Sequence, residues 1–490
     1  MGLTPAPLGL WWLAWLALAP LWILIITKQA KSSILVGLLW GLGYHGMVLV
    51  WITELHPLTW MGLSWSTSVA IALFCWLFVT LWGAAIPAIW AGVMGRLGSM
   101  AIGLRLLIGT GLWCGLEWLW TQSPLWWTSL ALTQSPANLV ILHLGQLSGP
   151  TAVIAPLVIV NGLLAEVLMA HPRLNAQTFK TLCLLPLPIF LVFHLLGWGL
   201  YSRPLLDAPA AALKVGIIQG NVPIRIKLTA AGYQQSIEAY SEGYQTLANQ
   251  GVEAVLMPEG AFPVVWTDPD RPRTAFDQAV ADRQVPVWVG SFGTREGRVT
   301  QSLFTLTGAG QITGRYDKIK LVPLGEYVPF PEILGKFVSR LSSLKAEMVP
   351  GLPNQQFDTP FGQAIAGICF DSAFAHLFRN QAATGGEFIL TASNNDPYNS
   401  VMMAQHHAQD VMRAIETDRW AVRATNTGYS GLVDPHGQTR WRSGFRVYQL
   451  YAGTIYRRQS QTLYVRWGDW LTPLLVGGAG AGWLTSRLKR

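Results

Sequence analysis

Apolar residues run almost unbroken through the first two hundred positions, then break into short bursts separated by polar stretches. A bilayer-crossing helix needs about 20 mostly apolar residues. Stretches of that kind occupy 8–27, 34–53, 68–93, 101–120, 147–170 and 180–200, with a shorter one at 470–486, so seven spans are predicted. Beyond residue 203, "LKVGIIQGNV" (213–222), "EAVLMPEG" (253–260), "VPVWVGSFG" (285–293), "QAIAGICF" (363–370) and "EFILTASNN" (387–395) are apolar runs closed by Gly, Pro or Asn. Buried strands read in this way. "GYQQSIEAYSEGYQTLANQ" and "MMAQHHAQDVMRAIETDRWAV" carry helical spacing between them. The alternation predicts an α/β domain with its functional groups just beyond the carboxyl ends of strands. The expected organisation is a transmembrane helical region at 1–202, a water-soluble α/β domain at 203–468, and a last transmembrane helix with a basic tail at 469–490.

Composition agrees with this division. The 490 residues are 51% hydrophobic and 12% charged, and residues 1–201 hold nine of the sixty charged side chains. A formal net charge of +8 raises the question of nucleic acid, but no basic cluster has interleaved aromatics, and no nucleic-acid partner is expected. The cations instead flank spans. Lys28, Lys31, Arg96 and Arg173 occupy alternate connections and Arg487, Lys489 and Arg490 the tail, whereas the connections near Glu54 and around 121–138 carry no Lys or Arg. By the positive-inside rule the cationic segments are cytoplasmic, and parity then places 203–468 and the N-terminus on the outer face. The N-terminus shows no basic n-region or cleavage site, so a further span is expected upstream of Met1.

Candidate chemistry sits at three strand ends: Glu259 in "LMPEGAFP", Cys369 in "AGICFDS" and, after a turn, Lys318 in "GRYDKIKLVPLGEYVPF". A thiol that attacks a carbonyl, a carboxylate that takes its proton and an ammonium that stabilises the oxyanion together provide covalent acyl transfer. Taken singly, Cys369 reads as a small buried hydrophobe, Glu259 as a helix-start carboxylate and Lys318 as a surface charge beside Asp317. If Lys318 lies near the thiol, Cys369 is expected to be more reactive than a free cysteine. Cys75, Cys114 and Cys183 lie in apolar segments, and no disulfide framework or metal-ligand spacing is offered. Glu117, near the end of the fourth span, is either a functional acid at membrane depth or a structural hydrogen-bond partner. His406 and His407 are adjacent helical positions that do not face one another; they are expected to be solvated or packed, with no metal. Residues 331–350 put Phe337, Leu341 and Leu344 on one helical face beside Lys336, Arg340 and Lys345. That pattern suits a helix on the membrane surface or one packed on the domain.

The words "QGNVP" (219–223), "PEGAFP" (258–263), "YDKIKLVPLGEYVPF" (316–330), "GICFD" (367–371), "ASNND" (392–396), "RAIETDRWAVRATNTG" (413–428) and "TLYVRWGD" (462–469) resemble the nitrilase, or carbon-nitrogen hydrolase, superfamily. With spans on both sides, the chain resembles over nearly its full length the membrane-embedded branch, the apolipoprotein N-acyltransferases. The resemblance implies a polytopic α-helical membrane domain joined to a four-layer αββα sandwich. It implies Glu259 as general base, Lys318 as oxyanion-stabilising cation, Cys369 as nucleophile and Glu326 as a further active-site glutamate. The Phe370 N–H, next to the nucleophile, is the natural second oxyanion donor. Asp371 stands where the family more often has Glu, Leu228 follows Lys227 where it often has Trp, and Pro397 and Tyr398 replace its usual Trp-Phe. The implied reaction moves an acyl chain from a membrane phospholipid, through a Cys369 thioester, to the α-amine of the diacylglyceryl N-terminal cysteine of a bacterial apolipoprotein. It would run in the cytoplasmic (inner) membrane, multi-pass, with the catalytic domain on the periplasmic face, as a monomer and without cofactor or metal. A membrane-tethered amidase or nitrilase would use the same triad with water as acceptor, but tethering needs one span, not seven. A non-enzymatic scaffold or transporter is opposed by the three reactive residues together and by spans with few charges and no duplicated half.

Overall fold

The computed structural model describes all residues except 28–29, 171–184, 329–331, 333–346, 397 and 489–490. Lys28, Arg173, Lys180, Cys183, Phe330, Pro397, Lys489, Arg490 and most of the amphipathic stretch at 331–350, with Lys336, Phe337, Arg340, Leu341, Leu344 and Lys345, therefore lie outside the described residues. The chain forms two compact units: Met1–Thr53 with Val69–Pro204 and Arg466–Arg490, and Glu54–Ser68 with Leu205–Val465.

The first unit is helical. Its main helices are α1 (Ala19–Thr27), α2 (Ala30–Val48), α3 (Trp65–Met94), α4 (Ile102–Trp120), α5 (Thr151–Ala170) and α6 (Pro186–Tyr201). Among the described residues α3, α4 and α5 are long and apolar enough to cross a membrane, and Trp11–Thr27, Ser32–Val48, Leu139–Ser148 and Pro186–Tyr201 are apolar but shorter. Several predicted spans are broken. The stretch 8–27 is a 3₁₀ turn, Trp11–Trp15, followed by α1, and 34–53 ends as α2 at Val48 before a second 3₁₀ turn at Val50–Leu55. The break before α1 is held by Asn161 of α5. Its Oδ1 accepts from the N–H groups of Leu18 and Ala19, each at 2.9 Å, and its Nδ2 donates to the Ala14 carbonyl at 2.9 Å. A helix start stripped of water needs such a partner. In 147–170, Gly149 and Pro150 separate a short helix, Gly145–Ser148, from α5, because proline has no N–H to donate to the helical ladder.

Several buried polar side chains of this unit are paired across segments. Arg105 of α4 forms an ion pair with Glu166 of α5, and Trp22 Nε1 donates to Glu166 Oε1 at 3.1 Å. Glu117 is buried and accepts from Trp113 Nε1 at 2.9 Å, Ser129 Oγ at 2.8 Å and Leu130 N at 3.1 Å. That environment makes Glu117 a structural acceptor holding the chain after α4, the second of its two expected roles.

The second unit is built on two sheets. Its elements are β1 (Ala212–Gln219), α7 (Ala230–Asn249), β2 (Ala254–Leu256), β3 (Phe262–Val265), α8 (Ala275–Arg283), β4 (Val287–Arg295), β5 (Arg298–Leu306), β6 (Ile312–Asp317), β7 (Phe357–Thr359), β8 (Gly362–Ile368), α9 (Ala375–Ala383), β9 (Phe388–Ser393), α10 (Ser400–Thr417), β10 (Ala421–Thr425), β11 (Gly431–Val433), β12 (Thr439–Arg442) and β13 (Gln449–Tyr456). One sheet has the order β13-β1-β2-β4-β5-β6, with β3 also paired to β4, and the other has the order β12-β11-β10-β9-β8-β7. Strand alternation sets the layers. Leu213, Val215, Ile217, Leu256, Trp288 and Tyr316 of the first sheet share one core with Ala364, Ala366, Ile368, Leu390 and Val422 of the second. On the outer face of the first sheet, Ile218, Val255, Val287 and Phe304 pack with Tyr240, Tyr244, Leu247 and Phe276 of α7 and α8. Helices α9 and α10 cover the outer face of the second sheet. The result is a four-layer αββα sandwich.

The chain re-enters the helical unit at α11 (Leu471–Leu488). Asp469 caps that helix, accepting from Thr472 N at 3.2 Å, and also accepts from Ser148 Oγ at 3.0 Å and Thr151 Oγ1 at 2.8 Å.

Gly367 of β8 points toward α9, where an added Cβ would lie 2.6 Å from Cζ of buried Phe378. Overpacking of this kind costs about 1–3 kcal/mol. Gly367→Ala is therefore expected to lower the midpoint of thermal unfolding of the detergent-solubilised protein; an unchanged midpoint would show that the strand moves aside without cost.

Candidate active site

Four strand ends converge on one site. Lys318 follows β6 directly, Cys369 follows β8, Asn394 follows β9, and Glu259 lies just beyond β2. The Lys318 ammonium is fully buried and bridges two carboxylates, 2.9 Å from Glu259 Oε1 and 2.6 Å from Glu326 Oε1. Glu326 reaches it from the turn after β6, where Val322 N donates to its Oε2 at 2.8 Å. Asn394 joins the carboxylate to the thiol. Its N–H donates to Glu259 Oε2 at 2.7 Å, and its carbonyl oxygen lies 4.0 Å from Cys369 Sγ.

Cys369 has φ of 50°, the left-handed region that a residue with a Cβ enters at a cost of order 1–3 kcal/mol. Asp371 braces this turn from beneath. It is buried, and its carboxylate accepts from Lys320 N at 2.8 Å, Ile368 N at 3.0 Å and Tyr316 Oη at 3.1 Å, so it ties the residue before the cysteine to the strand that delivers Lys318. Phe370 is half-buried with its ring edge-on to Phe374. The structure thus brings Glu259, Lys318, Cys369, Glu326, Phe370 and Asp371 together.

The charges set the protonation of the site. Burial alone would push the Lys318 ammonium down, but the carboxylates of Glu259 and Glu326 outweigh it and hold its pKa well above the ordinary value. Burial raises Glu326, against the pull of Lys318. Burial also raises Asp371 to about 6, although its hydrogen bonds oppose the shift. For Cys369, burial and then the Glu259 charge drive the thiol upward, and Lys318 only partly offsets them. The expected stabilisation of a thiolate by Lys318 is opposed: Glu259 and Glu326 share that ammonium, and burial with the Glu259 charge raises the Cys369 thiol.

Two further residues reach the site without having been singled out for chemistry. Lys227 is buried, donates to the Glu259 carbonyl at 3.2 Å and is lowered by burial to about 8. His406 of α10, buried and not solvated, places Nε2 2.8 Å from the Cys369 carbonyl oxygen. His407 is also buried, with Nε2 2.8 Å from Thr439 Oγ1. The signal for His406 was a polar run, "AQHHAQD", on a helix covering a sheet, where burial demands partners. No group of metal-ligating side chains occurs among the described residues.

Residues 214–443 match the Carbon-nitrogen hydrolase family, so the two-sheet unit is a domain of that class. Residues 1–163 match the Apolipoprotein N-acyltransferase N-terminal domain. The chain is 53% identical over 488 residues to an apolipoprotein N-acyltransferase of Nostoc sp., covering 99% of this chain and 97% of that protein. It is 44% identical over 511 residues to another from Synechocystis sp., covering 99% and 98%. An amidase of known structure from Nesterenkonia sp. aligns with 56% of this chain and 98% of its own at 18% identity and a TM-score of 0.41. The chain belongs to the apolipoprotein N-acyltransferase family.

A raised thiol pKa means less thiolate at every pH below it. Cys369 in the substrate-free protein is expected to react with iodoacetamide at pH 7 at least about tenfold more slowly than free cysteine, with the rate still climbing above pH 9, where free cysteine, of pKa near 8.5, levels off. A plateau at or below pH 8.5 would contradict the charge balance described here.

Proposed function

We propose that this chain is a membrane enzyme that N-acylates apolipoproteins, with Cys369 as nucleophile, Glu259 as general base and Lys318 as oxyanion-stabilising cation. The observation that carries the roles is the buried ammonium shared by Glu259 and Glu326 beside a thiol at a strained strand end. In the first half-reaction the sulfur attacks the ester carbonyl of a phospholipid as Glu259 takes its proton. The oxyanion forms near the Lys318 ammonium and the Phe370 N–H, where preorganised donors act without reorganising. Collapse breaks the acyl C–O bond; the leaving alkoxide receives the proton from Glu259 and departs as lysophospholipid, leaving a thioester. In the second half-reaction the α-amine of a diacylglyceryl cysteine attacks the thioester, Glu259 takes a proton from the amine, and the C–S bond breaks as the sulfur is reprotonated. The product is an amide. A thiol whose pKa is raised suits this sequence, because the sulfur then becomes nucleophilic as its proton moves to Glu259.

Glu326 supplies the second acceptor that keeps Lys318 charged and aimed, and Asp371 holds the nucleophile turn. We place the two-sheet unit on the outer face of the cytoplasmic membrane, where the reacting groups of both lipid substrates lie at headgroup level, and expect a monomer. The charge pattern of the connections supports that orientation.

Intact and digested mass spectra after incubation with phospholipid test the reading. A hydroxylamine-sensitive acyl adduct on Cys369, absent in Cys369→Ala, is expected, and it should vanish when a diacylated lipopeptide is added as triacylated peptide appears. An adduct that only hydrolyses would identify a hydrolase, and no adduct with any phospholipid would overturn the proposal. Lys318→Met should reduce acyl-enzyme formation by about 10²–10³-fold. It should also lower the unfolding temperature, because two buried carboxylates lose the cation they share; wild-type rate and stability would remove Lys318 from the mechanism.

A further inference from the structure

The carbonyl of the nucleophile is itself held. His406 Nε2 lies 2.8 Å from the Cys369 carbonyl oxygen, and its Nδ1 lies 2.9 Å from Asn395 Nδ2. A carbonyl oxygen only accepts, so Nε2 carries the proton and donates; Nδ1 then accepts from the Asn395 amide, and the tautomer is fixed by its two partners. Burial, with the Arg423 guanidinium nearby, holds the imidazole neutral, as this arrangement requires.

The helix that carries His406 is locked to the sheet one turn further on. Asp410, four residues along on the same face, is ion-paired with Arg423 of β10 and accepts from Thr391 Oγ1 of β9 at 2.9 Å. Arg423 also donates to Ser393 Oγ at 3.0 Å, at the end of the strand that leads to Asn394 and Asn395. The histidine is thus set against the cysteine by a rigid frame.

The Cys369 carbonyl and the Phe370 N–H belong to one planar trans peptide unit and point in opposite directions. Holding the carbonyl on the helix side fixes the direction of that N–H. It also retains the left-handed φ of 50° that sets the course of the Cys369 Cα–Cβ bond.

We propose that His406 is a positioning residue: through its hydrogen bond to the Cys369 carbonyl it fixes the Cys369–Phe370 peptide plane, and so aims both the nucleophilic sulfur and the neighbouring N–H. The inference deepens the acyl-transfer reading and rests on it. Misplacing a nucleophile by about 1 Å costs about 10²-fold in rate. Glutamine places an amide donor where Nε2 stands, whereas asparagine reproduces only the Nδ1 end and cannot reach the carbonyl. His406→Gln is expected to form acyl-enzyme within about fivefold of the wild-type rate, and His406→Asn about 10²-fold more slowly, each with phospholipid KM within about twofold, since the lipid itself is not contacted.

Both variants should be compared by single-turnover mass spectrometry, with thermal unfolding as the check on folding. Folded His406→Asn and His406→Gln with equal rates, or a change confined to KM, would overturn the positioning role. Should His406→Asn not be recovered folded, Asn395→Ala leaves the imidazole in place and removes the donor that fixes its tautomer. It is expected to slow acyl-enzyme formation about fivefold, the worth of one lost hydrogen bond, and an unchanged rate would overturn the inference. A wild-type protein that forms no acyl-enzyme would instead reject the acyl-transfer reading itself, which keeps the two failures apart.

Discussion

A lysine ammonium cannot be taken out of water unless carboxylates meet it, and Lys318 is buried between two. Much of the two-sheet unit follows from that requirement. Glu259 comes from the end of β2, Glu326 from the turn after β6, and the Asn394 N–H that orients Glu259 from the end of β9 in the other sheet. The charge cluster can therefore be assembled only if the two sheets lie face to face with these strand ends adjacent. The apolar inner faces, with Val215, Leu256, Trp288, Ala366 and Leu390 fully buried, drive that stacking. The fold supplies the cluster's geometry, and the cluster penalises any other register of the sheets.

Several of the sequence words that carry the family resemblance belong to this seam between sheets and not to the chemistry. Gln219 Oε1 accepts from Thr425 Oγ1 at 3.0 Å, Ser430 Oγ at 2.8 Å and Ser443 Oγ at 2.7 Å, so one side-chain oxygen from β1 gathers three hydroxyls from the second sheet and its connections. Asn426 exchanges two hydrogen bonds with the backbone of Val222 and donates to Asn394 Oδ1 at 3.2 Å. Polar groups in a buried seam need matched partners, and a mismatch leaves a costly orphan. The seam so specified leads directly to the residue that contacts Glu259.

The same economy operates within the helical unit. Arg105 with Glu166 and Asn161 with the start of α1 join segments distant in sequence, and Glu117 holds the chain just after α4. Each of these pairs, made inside an apolar bundle, favours one arrangement of its helices.

What the sequence by itself determined is the set of parts. Apolar runs closed by Gly, Pro or Asn revealed β1, β2, β4, β8 and β9, because a strand buried on both faces is apolar throughout; reactive side chains beyond β2 and β8 revealed Glu259 and Cys369, and Lys318 was read from the segment "GRYDKIKLVPLGEYVPF". Strands such as β13 were not legible: it pairs antiparallel with β1, Ala212 opposite Tyr456, across most of the domain, and such pairing leaves no local signature. Nor could periodicity show that 8–27 is broken, since the residue that satisfies the break, Asn161, lies far along the chain. Only the tertiary structure decided the state of the site. A cation beside a thiol suggests a thiolate, but Glu259 and Glu326 both claim Lys318, and burial with the Glu259 charge raises the Cys369 thiol. The hold of His406 on the Cys369 carbonyl was decided there too, because hydrogen bonds and electrostatics depend on distances between segments that sequence order does not encode.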